Sequence, residues 1–344
     1  MATLVKKILI ALMLLGLGTF FSSCEKIFEY EGDCSIHCQI RFRYDMNMKF
    51  ADAFANSVSH VTVYVYDAGT GKLVLKQTES GPALSDRNYV MELEGLQPGT
   101  YDIVVWGGDG LEEGTFTASE VTAGVSEVTE IQCMMERDNV DGKAQVTEDV
   151  RQLYHGIRRV TFDDTYGTQV EEISLVKNTN VVRIVLQHLY VEDVDPDNFI
   201  FEIQDDNGYM DYDNDLLEDD MIHYYPWSVT AGQAGIEADI YTKTITNVNA
   251  AVAELTIGRL MEGGNTILNI YNREKGEKVL SIPLVDYALL VKGNYNKGMS
   301  DQEYLDRQDE YNLTFFLDGA GRWISSEIYI NSWRVVLQED SVLQ

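Results

Sequence analysis

Apolar and polar residues alternate along much of this chain, and this period of two constrains the fold more than any other feature. The alternation covers residues 40–44 (IRFRY) and 61–66 (VTVYVY), and it returns in many later segments. Successive side chains of a strand point to opposite faces, so the pattern predicts half-buried β-strands. Turn sequences follow at residues 67–71 (DAGTG) and 98–99 (PG),. Because helices do not alternate with strands, the sequence predicts an all-β, Greek-key β-sandwich architecture.

The length of the chain predicts two such sandwiches. After residue 23 about 320 residues remain, which exceeds one comfortable hydrophobic core. We assign residues 37–160 to an N-terminal β-sandwich and residues 161–344 to a C-terminal β-sandwich. The segments 115–119 (TFTAS) and 128–135 (VTEIQCMM) are predicted to complete the first sandwich.

Three short helical segments interrupt the strand pattern. Residues 47–56 (NMKFADAFAN) predict one or two helical turns, and residues 301–308 (DQEYLDRQ) predict a helix that Ser300 or Asp301 caps,. Residues 140–160 lack period-two patterning, so we expect them to cross between the domains with a helical turn at residues 150–155.

The first 23 residues predict a lipoprotein signal peptide. Lys6 and Lys7 supply a positive start, and residues 8–21 form an uncharged apolar stretch too short to span a bilayer,. Ser23 directly precedes Cys24, as in a lipobox, so cleavage is predicted between them. Cys24 would carry an S-diacylglycerol group and an N-palmitoyl chain, and residues 24–36 would form a lipidated tether. The alternative is an ordinary secreted protein with a chance cysteine.

Charge argues against two classes of partner. Without residues 1–23 the chain keeps 24 basic against 56 acidic residues, a net charge of −32. Such a surface repels nucleic acid and anionic lipid, so neither is expected to bind through charge. The acids are scattered among apolar segments and the hydrophobic fraction is 45%. The acidic residues therefore form a solvated exterior around an ordinary core.

Three cysteines remain once Cys24 is lipidated, namely Cys34, Cys38 and Cys133. Their odd number leaves at least one thiol unpaired. On one extended strand Cys34 and Cys38 would lie about 13 Å apart, beyond the reach of a disulfide. A bridge from Cys34 or Cys38 to Cys133 and buried free thiols are both compatible with the sequence.

Residues 205–215 (DDNGYMDYDND) form the one dense carboxylate cluster. An EF-hand starting at Asp211 would include Asp213 and Asp215, but Leu216 stands where glycine belongs and Ile222 where glutamate belongs. Two interpretations stay open: a turn with solvated aspartates, or a weak cation site at Asp211, Asp213 and Asp215.

No catalytic or cofactor-binding motif is present, so no catalytic residue, metal site or cofactor is predicted. The histidines lack the spacing of a zinc site, and they are His37, His60, His155, His188 and His223. The tryptophans could stack on sugars or fill the core, and they are Trp106, Trp227, Trp323 and Trp333.

Long phrases of the chain resemble the fimbrial anchor lipoproteins of the FimB family of Bacteroidales, which include major and minor fimbrium anchor subunits. These phrases are, besides Cys34, RFRYD, YDMNMKFADAFANSVSHVTVYVYD, LQPGTYDIVVWGG, LYHG, SLVKNTNVVRIVLQ, IQDDNGYMDYDND with YYPW behind it, EYLDRQDEYNLTFFLD and INSWRVVLQ. Phe21, where leucine is usual in the lipobox, is the one departure.

The resemblance implies two tandem transthyretin-like sandwiches held to the outer membrane by a lipid anchor and exposed at the cell surface. It also implies a non-enzymatic role at the base of a fimbrium, in adhesion, with fimbrial stalk subunits as partners. Polymers of this kind join by strand exchange. The alternative function is a surface glycan-binding lipoprotein that uses exposed tryptophans.

The terminal segment 327–338 (EIYINSWRVVLQ) is predicted to be one strand with apolar residues on both faces,. Ile328 and Ile330 fall on one face, and Tyr329 and Trp333 on the other. The strand either closes the second sandwich or fills a groove in a neighbouring subunit.

Overall fold

The all-β prediction is confirmed by a computed structural model, which describes residues 35–189, 192–239, 244–293 and 296–335. The predicted signal peptide, Cys24 and Cys34 lie outside these residues. Within them, no helix is both long and apolar enough to cross a membrane.

Within the described residues the strands alternate with short turns and three short helices. The strands of the first half are β1 Ile36–Arg43, β2 His60–Asp67, β3 Leu73–Ser80, β4 Met91–Glu92, β5 Gly99–Gly107, β6 Phe116–Ala118, β7 Cys133–Met135, β8 Asp138–Val140, β9 Lys143–Val146, β10 Tyr154–Phe162, β11 Gly167–Ser174 and β12 Val176–Lys177. Those of the second half are β13 Thr179–His188, β14 Phe199–Asp205, β15 Tyr209–Met210, β16 Ile222–Tyr224, β17 Ser228–Asp239, β18 Thr244–Gly258, β19 Ile267–Asn272, β20 Lys278–Pro283, β21 Glu310–Leu317, β22 Trp323–Ile330 and β23 Trp333–Val335. The helices are α1 Phe54–Ser57, α2 Leu284–Leu290 and α3 Asp301–Arg307, with 3-10 turns at Pro82–Ser85, Val128–Glu130 and Pro196–Asn198.

The first sandwich packs a three-stranded sheet A, in the order β11-β1-β4, on a five-stranded sheet B, in the order β12-β10-β5-β2-β3. The chain crosses between these sheets repeatedly, so that β1 and β4 lie in sheet A while β2, β3 and β5 lie in sheet B. Ile40 and Phe42 of β1 pack with Val63, Val65 and Ile103 of sheet B in one buried core. The predicted hairpin at residues 67–71 is present, with a register shift beside it.

Sheet B is buried on both faces along β2 and most of β5, although β3 and the middle of β10 carry exposed residues. The prediction of a half-buried β2 is therefore wrong. The second face of sheet B carries Tyr64, Tyr66 and Trp106, all buried. These side chains pack in the same cluster as Phe116 and Cys133, which come from β6 and β7. The chain between β5 and β10 thus covers the face that alternation alone assigns to solvent.

The second sandwich packs sheet D, in the order β20-β19-β14-β16-β9-β8, on sheet E, in the order β17-β18-β13-β21-β22-β23. A small sheet C, in the order β15-β7-β6, lies beside them. The apolar side chains of sheets C, D and E form one cluster with the second face of sheet B. The two sandwiches therefore share a continuous hydrophobic core, and burial of this apolar surface holds them together.

The chain between β5 and β10 does not complete the first sandwich as predicted. β7 pairs with β6 on one side and with β15 on the other, while β9 pairs in parallel with β16 of sheet D. The helical turn expected at residues 150–155 is absent, because residues 150–153 form no regular secondary structure and β10 begins at Tyr154. The predicted boundary between residues 160 and 161 falls inside β10, and β11 after it still pairs with β1.

The structure bears out two of the helical predictions and adds a helix. α1 at Phe54–Ser57 overlaps the end of the predicted range 47–56, and α3 begins after Ser300, whose hydroxyl accepts the Glu303 backbone N–H at 3.0 Å. The sequence pattern does not indicate helix α2, because the apolar run of β20 continues past Pro283 and is typical of a longer strand.

Candidate functional sites

The acidic loop at residues 211–215 folds as a tight turn. The Asp211 carboxylate accepts the backbone N–H groups of Asp213 and Asp215, at 3.2 and 3.1 Å. In the opposite direction, the Asp211 backbone N–H donates to the Asp215 carbonyl at 3.0 Å. Burial, followed by the neighbouring Asp213, raises the pKa of Asp211 to about 6. The Asp211 carboxylate is therefore already hydrogen-bonded within the turn. The weak cation site remains a prediction.

Asn214 joins this loop to the rest of the molecule. It adopts a φ of 74° and is buried, and its side-chain amide exchanges two hydrogen bonds with Asn178, at 2.6 and 3.0 Å. Its carbonyl accepts Nη1 of Arg259 at 2.9 Å, and Arg259 makes a buried two-pronged ion pair with Asp306 of α3. The loop is thus a structural joint, in which buried polar groups are paired.

Further polar contacts tie the two sandwiches together. The Tyr44 hydroxyl after β1 donates to the Asp309 carboxylate at 2.6 Å, and Nη1 of Arg307 donates to the Asp45 carbonyl at 2.9 Å. His155 of β10 hydrogen-bonds the Tyr212 carbonyl at 2.9 Å. Sequence patterns gave no signal for these contacts, since they join residues that are distant along the chain.

Cys38 and Cys133 are both buried and both free. Cys38 packs between sheets A and B, whereas Cys133 packs on the opposite face of sheet B. A bridge between these two cysteines is therefore excluded, because a sheet separates them. Burial raises the pKa of both thiols, so neither is set up as a nucleophile,.

The histidines are dispersed, as their spacing suggests. Their contacts include Glu92 for His37, Thr62 for His60, the Tyr212 carbonyl for His155, Glu192 for His188 and Glu202 for His223. In the part of the chain that the structure describes, no group of three or more His, Cys, Asp or Glu residues could hold a metal ion.

The four tryptophans divide between core and surface. Trp106 is buried on the second face of sheet B, and Trp323 packs edge-on against Phe315. Trp227 and Trp333 expose 39% and 69% of their surface. Only the latter two are available to a ligand or partner.

The predicted terminal strand is a hairpin instead. β22 ends at Ile330, Asn331 and Ser332 turn the chain with φ of 48° and 70°, and β23 returns alongside. Two positive φ values are typical of the type I′ turn that joins tight hairpins. Ile328 and Ile330 are buried in this protein's own second sandwich, so the segment closes the domain. Residues 336–338 of the predicted strand lie outside the described residues.

Sheet E presents its longest free edge at β17. This strand runs for 12 residues and pairs only with β18, at the end of the sheet order. Its outer backbone groups therefore face no other strand within the described ranges. Such an edge can accept an added strand from another chain.

The fold and these sites define an all-β protein built of two β-sandwiches that share one hydrophobic core. The family model described as "Fimbrillin-A associated anchor proteins Mfa1 and Mfa2" matches residues 30–339. The chain belongs to this family, and the resemblance to fimbrial anchor proteins is confirmed.

Solved structures agree with this assignment. A Bacteroides thetaiotaomicron protein described as an adhesin is 34% identical, with a TM-score of 0.76 over 88% of this chain and 97% of its own. A protein of the same organism described as polysaccharide binding is 32% identical, with a TM-score of 0.74 over 89% of this chain and 99% of its own. The fimbrial anchor protein Mfa2 from Porphyromonas gingivalis is 15% identical, with a TM-score of 0.64 over 89% and 100%, and shows the shared fold. The curated proteins contain no match. This chain is therefore a structural protein of the fimbrial anchor and adhesin type.

Proposed function

We propose that this chain fixes the base of a fimbrium to the outer membrane through a lipidated Cys24, limits the growth of the fibre and so supports cell adhesion. The observation that carries the proposal is the position of the lipobox. The family match begins at residue 30, a few residues after Cys24. Three acyl chains at that cysteine would give an effectively permanent anchor, since two already suffice.

The stalk subunit is proposed to engage a free sheet edge. β17 offers the longest such edge, and main-chain hydrogen bonds along it would supply affinity without demanding a particular sequence,. An anchor that accepts one subunit at this edge and is held in lipid at its other end would stop further addition there.

Deletion of the gene tests the anchoring role. We expect long fimbriae to be released into the medium, because their base is no longer held. Electron microscopy of cells and culture supernatant measures both location and length. Unchanged, cell-bound fimbriae would instead favour the alternative, a surface glycan-binding lipoprotein.

Cys24→Ala tests the anchor itself. We expect the variant chain to leave the membrane fraction, because a net charge of −32 gives little electrostatic adsorption,. Cys38→Ala is the matched control, since it removes a buried thiol and leaves the lipobox intact. A Cys24→Ala chain that stays with the membranes after a high-salt wash would refute lipid anchoring.

A further inference from the structure

An open cavity of about 260 Å³ lies between the segment after β1 and the segment after α3. The first wall comes from residues 44–57 and the second from residues 307–310. Met48 and Ala53 add apolar surface, and both are partly exposed, so a group from outside can reach the lining. Pockets for drug-sized ligands measure about 300–1,000 Å³. This cavity therefore suits one long side chain rather than a whole ligand of that size.

Two carboxylates on the second wall have unused acceptor positions. Asp309 is partly exposed, and its carboxylate accepts the Tyr44 hydroxyl at 2.6 Å and no other hydrogen bond from a described residue. The exposed Glu310 carboxylate bonds no described residue. A carboxylate offers about four acceptor positions. Burial raises the pKa of the Asp309 carboxyl although the Tyr44 hydrogen bond opposes the rise, so the charge of Asp309 has fewer partners than it needs,.

Two cationic side chains also line the cavity, and they differ in how firmly they are held. Nε of Arg307 donates to the Glu303 carboxylate at 2.8 Å, and its Nη1 donates to the Asp45 carbonyl at 2.9 Å. Lys49 is exposed and forms no ion pair with a described residue. Its ammonium sits on a flexible four-carbon stem. The negative charge of Asp309 is therefore fixed at the cavity, whereas Lys49 is a counter-ion that another cation can replace.

Phe50 stands beside the cavity in a strained conformation. Its φ of 52° lies in the left-handed region, which is unusual for a bulky side chain,. The residue is 56% exposed, and the Arg307 guanidinium covers its ring at 4.8 Å. The buried Asn47 holds the loop by donating to the carbonyls of Tyr44 and Ala51, each at 2.8 Å. Strained residues that their surroundings fix cluster at binding sites, and an aromatic ring is a common anchor of protein interfaces.

From these observations we propose that the cavity receives an arginine or lysine side chain of a partner protein. The cationic group pairs with Asp309 and Glu310 in place of Lys49, and its alkyl stem packs on Met48. The surface around that side chain packs on the exposed part of Phe50. The excess of acidic residues over the whole chain favours the approach of a basic partner,. This binding is independent of the anchoring role, because it uses neither Cys24 nor the β17 edge.

The first test is saturation-transfer NMR on the full chain in detergent. The probes are acetyl-arginine methylamide and acetyl-citrulline methylamide, which match in shape and differ in charge. We expect the arginine probe to bind at least about fivefold more tightly, because only its hydrogen bonds to the carboxylates are charge-assisted. Asp309→Asn should abolish this preference, since asparagine can still accept the Tyr44 hydroxyl but carries no charge,.

Lys49→Gln gives an effect of the opposite sign. Removing the resident cation should strengthen binding of the arginine probe by about twofold or more, because the two cations compete for the same carboxylates. Asp164→Asn is the control, since it removes one charge from an exposed turn and should change neither probe. Equal binding of the two probes would overturn the proposal. Weaker arginine binding in Lys49→Gln would also overturn it, because the cavity would then select an anion.

Thermal unfolding checks the fold of each variant. Glu310→Gln alters an exposed side chain and is expected to fold, so it provides a second loss of charge at the cavity if Asp309→Asn is unstable. It should reduce the preference for the arginine probe. A stable Glu310→Gln chain with the full preference would contradict the pairing with Glu310.

A second test separates a partner protein from free arginine. Benzoylphenylalanine in place of Phe50 is irradiated in intact cells, and mass spectrometry identifies the attached segment. We expect a protein segment that contains arginine or lysine, and we expect the product to disappear when Asp309→Asn is added. The control places the same photoreactive residue at Tyr166, which is 74% exposed and lies beside the first residue of β1. Absence of a product in a folded chain, or the same product from position 166, would rule out a protein partner at this cavity.

Discussion

Sheet B and sheet E are built from similar alternating sequences, yet the central strands β2 and β5 of sheet B are buried on both faces and the central strands β13 and β21 of sheet E on one. On the outer face of sheet E, Arg183 and Asn312 are exposed. The corresponding face of sheet B carries Tyr64, Tyr66 and Trp106, which are buried beneath the chain between β5 and β10. The alternation of apolar and polar residues therefore identifies strands, but the side-chain types on the second face of a sheet indicate whether other parts of the chain cover that face.

The largest expected difference between the two sheets is in the cost of removing an indole. Trp106→Ala on the second face of sheet B should lower the free energy of unfolding by about 3–5 kcal/mol, because it opens a cavity in the shared core. Trp333→Ala at the edge of sheet E should change it by less than about 0.5 kcal/mol, because that side chain is 69% exposed,. Urea unfolding measures both. Equal costs would show that the second face of sheet B is not covered in solution.

Acidification should act in opposite directions on the two sandwiches. Burial lowers the pKa of His155, on the second face of sheet B, to about 4. The unfolded chain then binds the proton more readily between pH 6.5 and pH 4, so this group should remove about 2 kcal/mol of stability at pH 5 relative to pH 7.5.

Asp205 in sheet D should change the stability in the opposite direction on acidification. Burial raises its pKa to about 6, so the folded chain binds the proton more readily between pH 6 and pH 4. This group should add about 1 kcal/mol of stability at pH 5. Urea unfolding at pH 7.5 and pH 5 measures both effects. His155→Gln should reduce the loss of unfolding free energy at pH 5, and Asp205→Asn should increase it. The same pH dependence in both variants would contradict the assignment.

The smallest expected effect comes from two buried tyrosines. The Tyr66 hydroxyl on sheet B has no partner among the described residues, whereas the Tyr224 hydroxyl in sheet D donates to Asn207 Oδ1 at 2.6 Å. Tyr66→Phe should be neutral or stabilise by up to about 1 kcal/mol, and Tyr224→Phe should cost about 1–2 kcal/mol. A comparable loss in Tyr66→Phe would indicate that its hydroxyl has a partner in solution, such as a water molecule.

Local signals in the sequence predicted much of the fold. The alternation around Ile40 and Val63 identified strands, the glycines at residues 69 and 71 identified a hairpin, and Ser300 identified a helix start. Each of these signals depends on near neighbours along the chain. The long matching phrases predicted the family.

Long-range partners could not be predicted in the same way. Nothing near β7 indicates that it pairs with β15, and nothing near Arg259 indicates its ion pair with Asp306. The turn at Asn331 and Ser332 was missed because it lacks the glycine that type I′ turns favour,.

The parallel pairing of β1 with β11 has a mechanical consequence. The predicted tether enters at the first residue of β1, while β11 leads from its far end toward the second sandwich. A load carried between the membrane and a fibre would then pull the two strands from opposite ends. Eight register pairs would be strained in shear together instead of peeling apart one by one,. The first sheet thus places its longest ladder along the line of force.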